Sequence, residues 1–250
     1  LDNRKSETIS LIRSLDVNVL DILTIKINKF SSAYLFNKNS LDSILKLIQK
    51  LNINLLIIDF QLSPIQQRNL ELFFKVKAID RTQVILEIFS SRAISNEGKI
   101  QVELAALNFQ KTRLVRSWTH LERQRGGSGF LGGPGERQIE LDRRIINKNI
   151  KNLNASLQKV VKTRSIQNSK RKNSSSIIVS LVGYTNTGKS TLFNNLTNSS
   201  VISKNMLFAT LDPTLRLMKH EMSYKNKIIL SDTVGFISSL PTELVESFKS

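Results

Sequence analysis

A glycine-bounded loop between a strand pattern and a helix pattern is the stretch of this sequence best suited to chemistry. It has the spacing Gly-x-x-x-x-Gly-Lys-Ser, from Gly183 to Ser190. The apolar run Ile177–Val182 predicts a buried parallel strand before this loop, and a helical pattern follows the loop. Backbone N–H groups and the positive end of that helix would then converge on one anion. Lys189 would reach the β- and γ-phosphates, and the Ser190 hydroxyl would bind Mg²⁺. The alternative is a chance match, which the flanking patterns disfavour.

Two later segments extend this nucleotide site. The segment Phe208–Thr214, called the switch segment below, contains Thr210, which could complete Mg²⁺ coordination when a γ-phosphate is present. The stretch Lys227–Leu230 predicts a strand that leads into Asp232-Thr233-Val234-Gly235. An Asp at a strand end, followed by a glycine whose N–H can meet the γ-phosphate, is the Asp-x-x-Gly element of GTPases. At this distance from the phosphate loop, the element is strong evidence.

Composition limits the class of protein. The 250 residues leave room for about two domains, and 40% hydrophobic residues can form real cores. The chain has no cysteine, which excludes disulfides and thiolate metal sites. No apolar run approaches the roughly 18 residues of a membrane span. The chain begins without methionine or an apolar signal core. We expect a cytoplasmic monomer whose first residues are missing.

Positive charge is concentrated in one quarter of the chain. The net charge is +17, and the segment 111–172 holds 16 Lys and Arg against four acidic residues, a net charge of +12. One explanation is compositional drift, because an AT-rich coding sequence favours lysine. However, seven arginines also fall between residues 113 and 144. Arginine offers a planar fork to phosphates and base edges. The pattern favours a polyanion, RNA above all, over a merely solvated face.

Residues 1–96 predict a small N-terminal α/β domain. Val17–Ile27 is typical of a strand, Leu41–Leu51 of an amphipathic helix and Leu55–Phe60 of a buried parallel strand. Ser63 and Pro64 form an N-cap and first-turn pair for a helix through Phe74, and a further strand follows at Val76–Ile79. Asp59 and Asp80 end strands, where solvated carboxylates are a more common finding than functional ones.

Residues 97–168 predict a long antiparallel helical hairpin. Apolar positions step by four and three residues from Ile100 to Leu121, and again from Ile146 to Val160, as in a coiled-coil seam. A glycine-rich loop at 125–135 joins the two halves. The polar stretch 169–176 predicts a linker into an incomplete P-loop domain at 177–250.

The hairpin loop holds more glycine than a turn requires, six of the ten in the chain. A mobile backbone that can approach another surface closely would explain this excess. Apolar residues at the loop tip, flanked by arginines, favour contact with RNA by stacking and phosphate binding. The alternative is a flexible loop folded back on its own protein. The candidate RNA contacts are Arg123, Arg125, Phe130 and Arg137.

These motifs together resemble the bacterial HflX family of ribosome-associated GTPases over essentially all 250 residues. The motifs are Arg116–Gln124, Gly-Gly-Pro-Gly-Glu in the hairpin loop, Gly183–Ser190, the switch segment and Asp232–Phe236. The resemblance implies a cytosolic GTPase that associates with the large ribosomal subunit and its RNA, and that splits or rescues stalled ribosomes.

By the same resemblance, Ser190 and Thr210 are the expected Mg²⁺ ligands. The implied contacts to GTP or GDP are Gly183, Tyr184, Thr185, Asn186, Thr187, Gly188, Lys189, Ser190, Thr191, Phe208, Ala209, Thr210, Leu211, Asp212, Asp232, Thr233, Val234 and Gly235.

The sequence departs from the family pattern at three places. Arg137 stands where the family usually has Thr after Pro-Gly-Glu. Phe236 follows Asp-x-x-Gly where Ras-like proteins place a water-orienting Gln, so no catalytic residue is assigned. No guanine-reading Asn-Lys-x-Asp occurs in the 250 residues, and we expect a fragment of a longer protein.

Two functions stay open at this point. One is a GTP-hydrolysing translation factor, and the other is a non-catalytic module that binds ribosomal RNA and carries an inert nucleotide domain. In the first case Asn186 could hold a K⁺ ion that supplies positive charge in place of an arginine finger. The alternative for Asn186 is a hydrogen bond within its own turn.

Overall fold

The computed structural model describes residues 2–15, 17–118, 134–172, 177–197, 199, 207–208, 211, 214–219, 227–238, 240 and 244–245. At 2–3, 115–118, 134–138 and 167–172 it describes the backbone only. The mixed α/β architecture predicted from the sequence is confirmed. In chain order its elements are α1 (Asp2–Arg13), α2 (Lys38–Leu51), β1 (Leu55–Ile58), α3 (Pro64–Phe74), β2 (Lys77–Asp80), α4 (Arg81–Arg92), α5 (Asn96–Trp118), α6 (Pro134–Lys172), β3 (Ile177–Leu181), α7 (Lys189–Thr197), β4 (Thr214–Leu217) and β5 (Ile228–Asp232).

The chain forms two compact units that do not follow the sequence order. The first unit comprises Leu1–Ile85 and Leu107–Lys148, and the second comprises Leu86–Ala106 and Asn149–Ser250. Helices α4, α5 and α6 therefore each contribute residues to both units.

The first unit is built on a two-stranded parallel sheet. β1 pairs with β2 from Leu55 opposite Lys77 to Ile58 opposite Asp80. Ser63 is the N-cap of α3 and Pro64 lies in its first turn, as predicted. Ser63 also forms a capping box with Gln66, which the sequence analysis did not predict. Helices and strands share a core of Leu35, Phe36, Leu41, Ile44, Ile48, Ile58, Leu62, Leu70, Phe74 and Ala78.

The predicted strand at Val17–Ile27 is wrong. The backbone there is extended but forms no ladder with another strand in the described part of the chain. Leu20 and Leu23 are 54% and 48% exposed, whereas Ile25 and Ile27 pack against the core of this unit. The apolar pattern correctly predicted an extended backbone, but a strand also needs a hydrogen-bonded neighbour.

The two aspartates at the strand ends are held by ion pairs, which corrects the prediction of solvated carboxylates. Asp80 is fully buried and accepts a hydrogen bond from Arg113 Nη2 at 2.6 Å. Asp59 accepts from Arg81 Nη1 at 2.7 Å and from Arg4 Nε at 3.0 Å. Arg81 also pairs with Glu7 of α1. These pairs tie α1, α4 and α5 to the carboxyl ends of β1 and β2.

Helices α5 and α6 occupy the stretch predicted as a hairpin. Within the second unit, Ile100 and Leu104 of α5 form a core cluster with Leu157 of α6, against which Ile150 and Leu153 pack. Arg164 on α6 pairs with Glu97 at 2.7 Å. This order of contacts matches the antiparallel seam. The glycine-rich loop lies largely outside the described residues, and α6 continues through Lys172 into the stretch predicted as a linker.

The second unit contains a three-stranded sheet in the order β3-β5-β4. β3 and β5 are parallel, and β4 pairs antiparallel with β5. β3 is parallel as predicted, but the expectation of a buried strand is wrong. Ile177, Ile178 and Val179 are 49%, 46% and 41% exposed, and β3 lies at one end of the described strand order.

The helices differ widely in length and in apolar character. Within the described ranges, none of them combines the length and the apolar character that crossing a bilayer requires.

Candidate nucleotide-binding site

The parallel pairing of β3 and β5 brings the two nucleotide motifs together. Leu181, the last residue of β3, is level with Asp232, the last residue of β5. The Thr233 hydroxyl donates to the Leu181 carbonyl at 2.7 Å. The carboxyl ends of parallel strands are where α/β proteins bind ligands, because the loops that follow them meet at one edge.

The phosphate loop has the curled backbone that its glycines predict. Gly188 has φ +83° and Asn186 has φ +61°, so both lie in the left-handed region. The Thr187 hydroxyl donates to the Tyr184 carbonyl at 2.8 Å across the turn. α7 begins at Lys189, directly after Gly188, so the positive end of its dipole lies at the loop.

Lys189 spans the loop. Its Nζ donates to the Tyr184 carbonyl at 2.5 Å. Partial burial lowers the pKa of Lys189, while the negative charge of Asp232 opposes that shift. A phosphate would compensate the same ammonium group more fully than a neutral carbonyl does.

Ser190 and Asp232 form the polar centre of the site. The Ser190 hydroxyl donates to Asp232 Oδ2 at 2.7 Å, and Asp232 is fully buried. A hydroxyl and a carboxylate are hard oxygen donors, and Mg²⁺ is bound through one or two such groups together with substrate phosphates. The residues present therefore fit Mg²⁺. No group of three or more His, Asp or Glu side chains that could form an all-protein cage occurs among the described residues.

Two backbone hydrogen bonds join the phosphate loop to the residues after β5. Thr185 N–H donates to the Phe236 carbonyl at 2.8 Å, and Phe236 N–H donates to the Gly183 carbonyl at 3.0 Å. Gly235 lies so close to this loop that a Cβ there would be 2.7 Å from Thr185 Cα. Glycine at position 235 is therefore a requirement of close backbone approach.

The switch segment is only partly described. Phe208 and Leu211 are buried, and the Phe208 ring packs edge to face on Phe89 of α4 with 4.6 Å between the centroids. The predicted contacts Ala209, Thr210 and Asp212 lie outside the described residues. So do the candidate RNA contacts Arg123, Arg125 and Phe130, and Arg137 lies where only the backbone is described.

The structure thus places the predicted residues 183–191 and 232–235 together at the carboxyl ends of β3 and β5. Sequence reasoning did not assign Asp232 to the metal. A carboxylate at the end of a strand that pairs with the phosphate-loop strand is the signal that could have done so. Reasoning from sequence also missed Phe89, which no motif marks.

Three sequence families match successive parts of the chain. Residues 2–90 match the family described as "GTP-binding GTPase N-terminal" and residues 92–171 match "GTP-binding GTPase Middle Region". Residues 178–250 match "50S ribosome-binding GTPase".

Individual relatives share this similarity over nearly the whole chain. A GTPase HflX of Magnetococcus marinus is 48% identical over 242 residues, which are 97% of this chain and 55% of the relative. The GTPase HflX of Escherichia coli is 44% identical over 241 residues, which are 96% of this chain and 56% of the relative. The chain therefore spans about half the length of these relatives.

A solved structure supports the fold alone. The GDP complex of a GTP-binding protein from the archaeon Sulfolobus solfataricus aligns with a TM-score of 0.53 at 24% sequence identity. The alignment covers 98% of this chain and 62% of that one.

Proposed function

Because the chain belongs to the HflX family of GTPases, we propose that it carries the phosphate-binding half of a GTP-hydrolysing translation factor. The observation that supports this most is the contact between the Ser190 hydroxyl and the buried Asp232 carboxylate at 2.7 Å. That contact brings a phosphate-loop hydroxyl and a strand-end carboxylate to one point, as magnesium-dependent NTPases require.

The residues of the chain then divide the work of binding. Lys189 exchanges the Tyr184 carbonyl for β- and γ-phosphate oxygens, and the amides at the start of α7 face the same phosphates. Ser190 and Asp232 would hold Mg²⁺, which neutralises phosphate charge as it develops. Gly235, fixed beside Thr185, offers its N–H to the γ-phosphate. Thr210 remains our proposed ligand from the switch segment, in addition to Ser190 and Asp232.

Titration calorimetry with Mg²⁺·GTP tests this proposal. Lys189→Ala should weaken binding about ten- to a hundredfold, because charge-assisted hydrogen bonds contribute about 1.5–3 kcal/mol each. Lys219→Ala is the matched control, since Lys219 is a lysine just beyond β4 of the same unit. Equal affinities in the two variants would contradict the assignment of the phosphate loop.

We also propose that the basic helix α6 binds ribosomal RNA. Four of its lysines, Lys148, Lys151, Lys159 and Lys162, are exposed along the helix. The net charge of +12 over residues 111–172 includes these lysines and the predicted loop contacts Arg123, Arg125 and Arg137. Each lysine that neutralises a phosphate releases counterions, so affinity should fall steeply with salt.

Sedimentation with large ribosomal subunits across a salt series tests the RNA proposal. Replacing the four lysines with glutamine should reduce the salt slope by about one unit for each phosphate that is no longer neutralised. Lys38, Lys46 and Lys50 of α2 are comparable lysines outside the segment and serve as the control. An unchanged dependence of binding on salt would indicate that these lysines contact only water and do not bind RNA phosphates. Retained subunit binding in a chain without GTP affinity would instead support the non-catalytic RNA-binding module.

A role for K⁺ at Asn186 completes the proposal. Asn186 is exposed at the turn of the phosphate loop with φ +61°. Its side-chain carbonyl oxygen is a suitable ligand for K⁺, and the ion would add positive charge beside the phosphates. Single-turnover GTP hydrolysis should then be faster in KCl than in NaCl, and Asn186→Ala should remove the difference. Equal rates in both salts would leave Asn186 as a turn residue alone.

A further inference from the structure

An aromatic contact links helix α4 to the switch segment within the second unit. The rings of Phe89 and Phe208 meet at 87° with centroids 4.6 Å apart. Both rings are nearly inaccessible, at 1% and 2% exposure. Phe89 precedes the first nucleotide motif by more than a third of the chain, and neither the motifs nor the family matches give it a role.

The backbone at Phe208 also needs support from its surroundings. Phe208 has φ +56°, a left-handed conformation that bulky residues rarely adopt. Such a conformation persists where neighbouring structure holds it, and it recurs at switch regions. The ring of Phe89 packs directly on Phe208 and supplies such support. Leu207 and Leu211, on either side, are also buried at 5% and 3% exposure.

The position of Phe208 gives this contact a functional consequence. Thr210, our proposed γ-phosphate and Mg²⁺ sensor, follows Phe208 by two residues. A chain that is held at Phe208 has fewer conformations to lose when the residues that follow it bind a γ-phosphate. GDP lacks the γ-phosphate and gains less from this restriction.

We propose that Phe89 is a positioning residue for the nucleotide switch, and that α4 favours the GTP-bound state by clamping Phe208. This inference rests on the proposed function, because it assumes that the switch segment senses the γ-phosphate. Coupling between two sites is reciprocal. A partner that displaces α4 would therefore weaken GTP binding, and GTP binding would strengthen the hold on α4.

Hydrogen exchange of the full 250-residue chain tests the clamp without any nucleotide. Phe89→Leu retains an apolar side chain but removes the edge-to-face ring pair. Exchange at residues 207–211 should become about two- to tenfold faster, the range expected from the worth of an aromatic pair. Ile88→Val is the matched control, because Ile88 is a fully buried neighbour on the same helix and the truncation costs a comparable amount of stability. Equal exchange in the two variants would overturn the proposal.

Nucleotide affinity provides the second measurement. Phe89→Leu should lower the ratio of GTP to GDP affinity by a similar two- to tenfold, while Ile88→Val leaves the ratio unchanged. A general loss of stability would weaken both nucleotides equally and would contradict a positioning role. Phe208→Leu and the double variant complete a cycle, in which the two changes should not add if the ring pair carries the effect.

The two measurements separate this inference from the proposed function. Absence of GTP affinity in the unchanged chain would count against the proposed function. The exchange experiment would still decide whether Phe89 holds Phe208.

Discussion

Two buried aspartates in two different units occupy equivalent places and have different partners. Asp80 ends β2 and Asp232 ends β5, both in parallel pairings and both fully buried. Asp80 accepts hydrogen bonds from Arg113 Nη2 at 2.6 Å, Leu62 N–H at 3.2 Å and Gln83 N–H at 2.9 Å. Asp232 accepts from the Ser190 hydroxyl at 2.7 Å, and its charge acts on Lys189.

The difference lies in what neutralises each carboxylate. Burial lowers the pKa of Arg113 and the charge of Asp80 opposes that shift, but a guanidinium remains protonated in proteins. Asp80 is thus permanently paired with a cation of its own chain, and no ligand could replace Arg113 without leaving a buried charge. Asp232 faces a hydroxyl and a lysine, which can both turn toward an incoming magnesium–phosphate group. The aspartate at the end of β2 is therefore structural, and the one at the end of β5 is the group that we propose binds Mg²⁺.

Loss of the ion pair between Asp80 and Arg113 should reduce the stability of the chain more than any other change considered below. Asp80→Asn leaves the guanidinium of Arg113, whose side chain is 16% exposed, without the counter-charge of Asp80. Removing one partner of a buried pair costs about 3–5 kcal/mol. We expect the free energy of unfolding of the first unit to fall by that amount, measured by urea denaturation together with hydrogen exchange of β1 and β2.

The double variant Asp80→Asn with Arg113→Met is the control for this prediction. It removes the buried charge as well and should recover much of the lost stability, since apolar replacements of buried pairs are often neutral. A loss below about 1 kcal/mol in Asp80→Asn would show that water reaches Arg113 and would weaken the contrast with Asp232.

Substitution of Asp232 should affect stability little and the binding of Mg²⁺·GTP strongly. Asp232→Asn retains an acceptor for the Ser190 hydroxyl, so the free energy of unfolding should change by no more than about 1 kcal/mol. Loss of the carboxylate charge should weaken Mg²⁺-dependent GTP binding at least about tenfold, as expected for charged hydrogen bonds and ligands. Calorimetry at several Mg²⁺ concentrations measures this. Binding with unchanged Mg²⁺ dependence would remove Asp232 from the metal site.

Two glycines of the candidate nucleotide site differ in how close other atoms lie to them, so their substitution by alanine should cost different amounts of stability. A Cβ at Gly235 would be 2.7 Å from Thr185 Cα, which is backbone and cannot move aside easily. At Gly183 the nearest atom would be the Thr187 hydroxyl at 3.4 Å, an ordinary contact. Gly235→Ala should therefore cost about 1–3 kcal/mol, as overpacking does, and Gly183→Ala less than about 1 kcal/mol. Thermal unfolding of both variants checks this, and equal shifts would contradict it.

The sequence predicted local structure well where local signals decide it. The N-cap at Ser63, the helix through Phe74 and the Gly-x-x-x-x-Gly-Lys-Ser loop depend on neighbouring residues, and the structure has all three. Motif spacing also predicted that the phosphate loop and the Asp-x-x-Gly element belong to one nucleotide site. It did not predict the contact of Ser190 with Asp232, which 42 positions separate.

Features set by distant partners could not be predicted in the same way. Val17–Ile27 has the apolar pattern of a strand but no hydrogen-bonded neighbour in the described chain. The burial of Asp80 depends on Arg113, 33 positions away and outside any motif. The contact of Phe89 with Phe208 has no sequence signal either, because an apolar pattern does not show which buried phenylalanines contact each other.

An exposed ion pair on α6 separates the contribution of burial to stability from that of distance. Arg144 Nη2 lies 2.6 Å from Glu140 Oε1 on α6, the same distance as in the pair of Arg113 with Asp80. The side chains of Arg144 and Glu140 are 71% and 63% exposed, so water already solvates both charges. An exposed pair four residues apart on a helix contributes only about 0.3–0.5 kcal/mol, and salt screens it. Glu140→Gln should therefore shift the free energy of unfolding by less than about 0.5 kcal/mol, in contrast to the loss in Asp80→Asn. Urea denaturation at low and high salt measures both variants. A large, salt-insensitive loss in Glu140→Gln would show that distance, and not burial, decides the strength of these pairs.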